Sequence, residues 1–307
     1  MTRVIWWLRR DLRLTDNLTL HQALRDGATV IPTFVLDTRL LESKQLAPAR
    51  RQFLFDSLGD LDAQLRSRGS RLILRRGDPA KVLVDLARES AADAVYFHRD
   101  WTPYARRRDE RATRLLQAIG IRVRTCDDLY LAAPEQVVKN DGTPYAVYTP
   151  YRNRFEQVVA LPPRYATRGE LNTPPDIESL DLRASAGAHN PQFARGGETE
   201  GLKMARAFMR RADGLVRYGL LRDDLACEAT SRLSPHLHFG TVSVRELARR
   251  ARTLGATSPL SPKPRNPGPA VDANGAGAWL GELVWREFYA QVLWHFPHAA
   301  RQAFRRE

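Results

Sequence analysis

The N-terminal part of the chain alternates short apolar runs with longer amphipathic segments. The apolar runs predict buried strands and lie at 4–8, 29–36, 72–74, 94–98 and 122–126. The amphipathic segments predict helices and lie at 18–25, 48–68, 79–89 and 103–119, the first of them ended by Gly27. Asp78-Pro79 and Thr102-Pro103 predict helix caps followed by proline at the first helical position. Strands that alternate with helices are joined by right-handed crossovers. This part therefore predicts a doubly wound, Rossmann-like parallel sheet of five strands.

Beyond residue 130 the pattern changes. Residues 131–200 are rich in Pro, Gly, Asn and Thr with little periodicity, as in a long connector. Within them the run T-P-Y-A-V-Y-T-P-Y at 143–151 is too aromatic for a free linker, and we expect it to pack. Later residues predict only helices, at 196–211, 206–217, from Ser234 onward, 244–254 and 278–295, with an exposed loop at 259–277. The predicted domains are an α/β domain at 1–130, a connector at 131–200 and an incomplete all-helical domain at 201–307.

Composition narrows the class of protein. The chain has 307 residues and a net charge of +13, and so basic a balance points to a polyanionic partner, nucleic acid first. Cys126 and Cys227 are too few for a disulfide framework or a metal site, so we predict no metal and a reducing, cytoplasmic setting. No apolar run has the length of a signal peptide core or a membrane span.

Two stretches carry candidate chemistry. In T-S-R-L-S-P-H-L-H-F-G (230–240), Ser234 and Pro235 predict a helix start, and the hydroxyls and charge just before it suit a diphosphate. In W-L-G-E-L-V-W-R-E-F-Y (279–289), one helix face carries Glu282, Trp285, Arg286 and Tyr289. A face of this kind suits a pocket. The alternative is a helix edge with an ion pair between Glu282 and Arg286.

The N-terminal α/β part contains no glycine-rich dinucleotide or P-loop fingerprint, and it opens with the charged stretch W-L-R-R-D-L-R-L-T-D-N (7–17). The charged residues of this stretch are Arg9, Arg10, Asp11, Arg13 and Asp16, and we expect a salt-bridged loop rather than a catalytic site.

Taken in this order, the stretches resemble the DNA photolyase/cryptochrome family, and in particular the bacterial class I cyclobutane pyrimidine dimer photolyases. The resemblance implies a deoxyribodipyrimidine photo-lyase, a monomer that uses FAD and light to split pyrimidine dimers in DNA. The alternatives are a cryptochrome-type photoreceptor and a nucleotide-binding α/β module without light chemistry. Cyclobutane dimers and (6-4) photoproducts both remain open as substrates.

The resemblance also implies roles for individual residues. Those expected around the FAD diphosphate and ribityl chain are Tyr218, Thr230, Ser231, Arg232, Leu233 and Ser234. Those expected toward the flavin ring are Trp279, Glu282 and Arg286. Catalysis is assigned to Glu282, which is expected to be buried and to hydrogen-bond a thymine edge, and to Trp285, which stacks on the flipped dimer. Arg222 and Tyr289 are expected to join these two residues in contacting DNA.

Family members often carry a second, light-harvesting chromophore in the N-terminal domain. The positions that match the folate-binding pattern hold Lys44, Tyr104 and Ala105, so that pattern fails. Residues 46–50 and 99–109 look more like the deazaflavin- or flavin-binding branch.

Family members also continue beyond Glu307, so the chain resembles one truncated at its C-terminus. We therefore expect it to purify colourless or poorly soluble, and to repair no dimers under light. We also expect the last long helix to expose an apolar stripe to absent partners, formed by Leu280, Leu283, Val284, Phe288, Val292 and Phe296.

Overall fold

The computed structural model describes residues 2–26, 29–43, 46–169, 171–256 and 275–304. They divide into two compact units. The first consists of Met1–Leu129, Arg164–Glu200 and Pro235–Ser243, and the second of Tyr130–Pro163, Gly201–Ser234 and Val244–Glu307. The segment predicted as a connector, 131–200, is therefore divided: residues up to Pro163 belong to the second unit, and residues from Arg164 belong to the first. Gly27, expected to end a helix, Lys44, and residues 259–274 of the expected loop lie outside the described residues.

A parallel five-stranded sheet forms the centre of the first unit. Its strands are β1 (Arg3–Leu8), β2 (Thr29–Asp37), β3 (Ile73–Gly77), β4 (Ala94–His98) and β5 (Arg122–Cys126). Their order is β3-β2-β1-β4-β5, and every neighbouring pair is parallel. The predicted doubly wound α/β fold is confirmed.

Helices alternate with the strands as far as β5, and only helices follow among the described residues. They are α1 (Leu18–Arg25), α2 (Thr38–Leu41), α3 (Pro48–Arg66), α4 (Pro79–Glu89), α5 (Pro103–Ala118), α6 (Tyr148–Val158), α7 (Leu182–Ala186), α8 (Glu198–Arg210), α9 (Tyr218–Leu221), α10 (Ser234–Phe239), α11 (Val244–Ala256) and α12 (Gly275–His295). Two 3₁₀ turns, Leu215–Arg217 and Pro297–Ala300, complete the set for the described residues.

Both faces of the sheet are covered. Successive residues of a strand point to opposite faces, and in β1 they belong to two separate apolar clusters. Trp6 lies with Leu58 of α3 in one cluster. Trp7 lies with Leu83 of α4 in the other. This placement of helices on both faces explains why the β1 sequence is continuously apolar rather than alternating.

Local signals fix where the helices of the first unit begin. The side chain of Asp78 accepts a hydrogen bond from Ala80 N at 3.1 Å. That of Thr102 accepts one from Ala105 N at 3.4 Å. A proline follows each of these residues at the first helical position, where its missing N–H costs nothing. Both predicted caps are confirmed.

The charged loop after β1 is held by ion pairs within the first unit. Arg9 pairs with Asp109 at 2.7 Å, and Arg13 pairs with Asp128 at 2.6 Å. Both arginines are almost fully buried, and a buried charge needs such a partner. The structural interpretation of this loop is confirmed.

In the second unit, α12 packs its apolar face against residues of the same chain. One cluster joins α12 to α6 and the segment before it, and its buried members are Ala132, Val137, Tyr151, Phe155, Val284, Phe288 and Val292. The predicted exposure of the stripe is therefore wrong for Leu283, Val284, Phe288 and Val292, which are all under 9% exposed. The aromatic segment that precedes and begins α6 supplies the cover, and its predicted packing is confirmed.

The helix predicted over 206–217 is interrupted. Helix α8 ends at Arg210, and Leu215–Arg217 forms a separate 3₁₀ turn. Between them, Gly214 approaches the carbonyl oxygen of Phe208 so closely that a Cβ would clash with it. Only glycine allows this backbone approach, so the chain turns where the apolar pattern alone favoured continuation.

Across the described residues no helix has the length and apolar character needed to cross a membrane. Among the same residues there is also no cluster of three or more His, Cys, Asp and Glu side chains suited to a metal ion.

Candidate functional site

A cleft of about 380 Å³ opens in the second unit beside α12. Its walls come from the start of α6, the helix α9 with the residue after it, and one face of α12. The residues that line it are Tyr148, Arg152, Gly219, Arg222, Ala278, Gly281, Glu282 and Trp285. Two of the predicted catalytic or DNA-contacting side chains on α12, Glu282 and Trp285, thus meet the predicted DNA contact Arg222 in one place.

Helical spacing explains this face of α12. Glu282, Trp285, Arg286 and Tyr289 are all at least partly accessible, whereas Leu283, Val284, Glu287 and Phe288 between them are buried. The predicted shared face is confirmed. Of these four residues, however, only Glu282 and Trp285 line the cleft.

The other two residues of that face have different neighbours. The Arg286 guanidinium lies 4.5 Å from the centre of the Tyr130 ring and pairs with Glu287 at 3.0 Å. Tyr289 is 63% exposed and stacks against Trp285 at 5.6 Å between ring centroids. Its exposure leaves it available to a ligand that reaches this side of α12.

Glu282 has a different environment from the one predicted. Its side chain is 42% exposed rather than buried, and its carboxylate accepts a hydrogen bond from the Arg222 guanidinium at 2.7 Å. Arg286, the partner of Glu282 in the alternative helix-edge interpretation, instead pairs with its sequence neighbour Glu287. The reason is that α9 brings Arg222 to the Glu282 side of α12, a contact between residues sixty positions apart. Arg222 therefore holds the carboxylate at the cleft.

Trp285 is half-buried, and its indole lies flat against the Tyr148 ring with 3.4 Å between centroids and 7° between planes. Tyr148 and Arg152 were not predicted as site residues. The aromatic run at 143–151 was the only sequence signal for Tyr148, and it indicated packing. No sequence signal marked Arg152.

The residues predicted around a diphosphate at 230–234 lie in the same unit and lead into α10, whose first residue is Ser234. Thr230, Arg232 and Ser234 are exposed, and Ser231 accepts a hydrogen bond from Leu233 N at 3.4 Å. Arg232 has a φ of 50° and pairs with Glu228 at 3.0 Å across a solvated surface. Hydroxyl, backbone N–H and guanidinium groups are the donors that a diphosphate needs, so this donor set fits the phosphate part of FAD.

Three of the predicted cofactor residues, Leu233, Tyr218 and Trp279, are buried. Burial, and secondarily the nearby charge of Glu282, raises the pKa of Tyr218, so its phenol stays protonated and able to donate at neutral pH. Tyr218 packs edge-on against Phe208 at 6.0 Å. Trp279 is 3% exposed and lies 5.5 Å from the same Phe208 ring. Its side chain is thus a core residue of the second unit and not part of the cleft lining.

A second cleft, of about 350 Å³, lies within the first unit at the carboxyl ends of the central strands. It is lined by Trp7 of β1, by 34–37 of β2, and by Asp100 and Thr102 beyond β4. Ligands of doubly wound sheets bind at this edge, where the strand order reverses. The lining also includes Leu46 and Arg50 and, from the start of α5, Tyr104, Ala105 and Arg108, so two segments linked above with a second chromophore share one cleft.

A smaller basic cleft of about 220 Å³ adjoins it. The four arginines that line it, against two aspartates, are Arg39, Arg107, Arg108 and Arg111. Tyr104 stands in both linings, and its hydroxyl donates a hydrogen bond to Asp37. Burial and this hydrogen bond to Asp37 raise the pKa of Tyr104. The hydrogen-bonded residues Tyr104 and Asp37 therefore line both clefts.

Comparison with known proteins agrees with both the fold and the motifs. Residues 4–169, more than half of the chain, match the family model described as DNA photolyase. A deoxyribodipyrimidine photo-lyase of Streptomyces griseus is 38% identical over 299 residues, which cover 96% of this chain and 61% of that protein.

Two solved structures are similar over almost the whole chain. A bacterial class III photolyase from Agrobacterium tumefaciens has a TM-score of 0.84 and 30% identity, with 98% of this chain and 61% of that one covered. An archaeal photolyase from Sulfolobus tokodaii, solved with two FAD molecules, has a TM-score of 0.77 and 27% identity, with 99% and 62% covered. The chain thus spans about three fifths of the length of these relatives.

The parallel sheet, the two sequence stretches at 230–240 and 279–289, and the match over more than half of the residues all lead to one assignment. This chain belongs to the DNA photolyase family.

Proposed function

We propose that this chain carries the lesion-binding cleft, and residues of the flavin site, of an enzyme that splits cyclobutane pyrimidine dimers in DNA by light-driven, FAD-dependent electron transfer. The observation that carries the proposal is the meeting of Trp285, Glu282 and Arg222 in one cleft. The names of the photolyase relatives support the reaction class.

The cleft suits a nucleobase taken out of the DNA stack. A pyrimidine dimer stacks and pairs poorly, so extruding it costs less than flipping an intact base. The Trp285 ring offers a flat surface on which a base gains about 1–3 kcal/mol by stacking. Arg152 and Arg222 place positive charge at the same cleft, where a DNA phosphate would approach.

Glu282 supplies the hydrogen-bonding part of this recognition. Its carboxylate is fixed by Arg222 at 2.7 Å and remains 42% exposed, so it can accept a hydrogen bond from a pyrimidine N–H. An ion pair at the site also orients the carboxylate before the lesion arrives, which lowers the cost of binding. Glu282 therefore acts as an orienting and electrostatic residue.

FAD, when bound, supplies the electron that light makes available, and the protein supplies its binding and orientation. Thr230, Ser231, Arg232 and Ser234 would hold the diphosphate, because they present hydroxyl and cationic donors in one short segment. Tyr218 would donate from its protonated phenol.

We further propose that the larger cleft of the first unit holds a light-harvesting chromophore of the deazaflavin or flavin type. Its lining is mostly apolar and aromatic, as a planar ring system requires, with Trp7 and Phe34 on the sheet side. The arginines of the neighbouring basic cleft suit an anionic group on the chromophore. The archaeal photolyase solved with two FAD molecules supports a flavin in this role.

The test is loss of thymine dimers from a duplex oligonucleotide incubated with the purified chain, FAD and a reductant, under blue light and in the dark. The proposal predicts FAD-dependent loss in the light only, and reduced loss in Glu282→Gln, whereas the truncation that the resemblance implies predicts neither bound flavin nor loss of dimers. Flavin binding without light-dependent loss of dimers would contradict the repair function and favour a photoreceptor.

A further inference from the structure

The surface on which a lesion would stack is already covered. The Tyr148 and Trp285 rings are 3.4 Å apart between centroids and 7° from parallel, so they are in direct van der Waals contact. No base can enter between two rings at this distance. A ligand that uses this face of Trp285 must first displace Tyr148.

Tyr148 is held in place by more than the stack. Its hydroxyl donates a hydrogen bond to the carbonyl oxygen of Gly281, one helical turn before Trp285, at 3.0 Å. Burial raises the pKa of Tyr148, despite the opposing effect of Arg152, so the hydroxyl keeps its proton at neutral pH. Its ring also meets the edge of Phe288 at 5.7 Å. The closed position is thus defined by three different contacts.

The rest of α6 does not depend on this side chain. Tyr148 is the first residue of the helix, whereas Tyr151 and Phe155 fix α6 in the core at 2% and 3% exposure. The backbone just before the helix is tied to α12, because Gln291 Nε2 donates to the Tyr145 carbonyl at 2.9 Å. Rotation of the Tyr148 side chain alone would therefore uncover Trp285 while the helix stays in place.

We propose that Tyr148 covers the stacking face of Trp285 until a lesion displaces it, and so limits the preference of the cleft for damaged DNA. This inference rests on the proposed function, since it takes Trp285 as the stacking platform. Undamaged duplex is held through its phosphates and does not need this face. The closed position therefore lowers the affinity for the lesion without changing the affinity for undamaged DNA.

The test uses the 307-residue chain and two labelled duplexes that differ only by one thymine dimer, with binding followed by fluorescence anisotropy. Tyr148→Ala should bind the dimer duplex about two- to tenfold more tightly than wild type, the range that corresponds to one aromatic pair. It should bind the undamaged duplex with wild-type affinity, and a cooperative unfolding transition in urea should show that the variant is folded. Tyr148→Leu should behave as Tyr148→Ala does. Tyr148→Phe, which keeps the stack, should stay within about twofold of wild type.

Two results separate this inference from the function on which it rests. If Tyr148→Ala binds the dimer duplex no more tightly than wild type while Trp285→Ala loses discrimination, Tyr148 is not a displaceable cover and the inference fails alone. If Trp285→Ala keeps full discrimination, the stacking platform is misassigned and both fail. Tighter binding of both duplexes by Tyr148→Ala would also overturn the inference, because it would show a general change in DNA affinity.

Discussion

The buried carboxyl of Glu287 gives a sharp test of the packing in the second unit. It is 1% exposed and accepts hydrogen bonds from Leu131 N at 2.7 Å and Ala132 N at 3.4 Å. Burial raises its pKa from 4.5 to about 7, although Arg286 and the two N–H groups oppose the increase. Glu287→Gln keeps an oxygen acceptor for these N–H groups and removes the titration.

The direction of the effect follows from proton binding. Between pH 4.5 and about 7 the folded protein keeps the proton on Glu287, whereas the unfolded chain loses it. The free energy of unfolding of wild type therefore falls as pH rises through this window and levels off above it. A change of this size in pKa corresponds to about 3 kcal/mol. Glu287→Gln lacks this contribution, so its free energy of unfolding should not show this fall. The free energy of unfolding of wild type should therefore drop by about 3 kcal/mol relative to that of Glu287→Gln between pH 4.5 and about 7.

The assay is urea unfolding followed by tryptophan fluorescence, at several pH values from about 4.5 to 8. Glu110→Gln, on the exposed surface of α5, is the matched control and should follow the wild-type profile. Equal pH profiles for wild type and Glu287→Gln would show that Glu287 has no raised pKa in the folded protein. The account of a buried carboxyl tying α12 to residues 131 and 132 would then be wrong.

Other changes test other parts of the account. Arg222→Ala should reduce the slope of log affinity against log salt for duplex DNA by about 0.9, whereas Arg217→Ala, exposed outside the cleft lining, should leave it unchanged. Phe288→Ala should lower the free energy of unfolding by about 3–5 kcal/mol, measured in urea, because this 5% exposed ring would leave a cavity. Glu282→Gln should reduce dimer loss per absorbed photon, measured against actinometry, while changing DNA affinity less than about threefold. Arg107→Glu should weaken binding of flavin mononucleotide to the chain but not of riboflavin, measured by flavin fluorescence.

Local sequence signals predicted the first unit well. Apolar runs marked the strands, and the Asp78 and Thr102 caps marked helix starts, because these signals act within a few residues. Strand β3 was the least well predicted, since Arg75 and Arg76 extend it with polar side chains. It lies at the edge of the sheet, where a strand has a neighbour on one side only and tolerates polar residues.

Helical periodicity predicted which residues of the site share a helix face, but not which distant residues they contact. Spacing along α12 placed Glu282 and Trp285 on one face, and that is correct. The burial predicted for Glu282 was wrong, and its ion pair with Arg222 was not foreseen, because Arg222 is sixty residues away in sequence. The burial of Val284, Phe288 and Val292 on α12 was missed for the same reason, because these residues pack against residues between 131 and 159. Contacts between distant segments leave no periodic signal in the sequence.

Discrimination between damaged and undamaged DNA tests the central claim most directly. The measurement is the ratio of affinities for a thymine-dimer duplex and the same duplex without the dimer, in wild type and in Trp285→Ala. The account predicts that wild type prefers the dimer duplex and that Trp285→Ala loses most of the preference, with its affinity for undamaged DNA unchanged. Equal affinity of wild type for the two duplexes, or an unchanged preference in Trp285→Ala, would contradict a lesion-binding cleft at Trp285, Glu282 and Arg222.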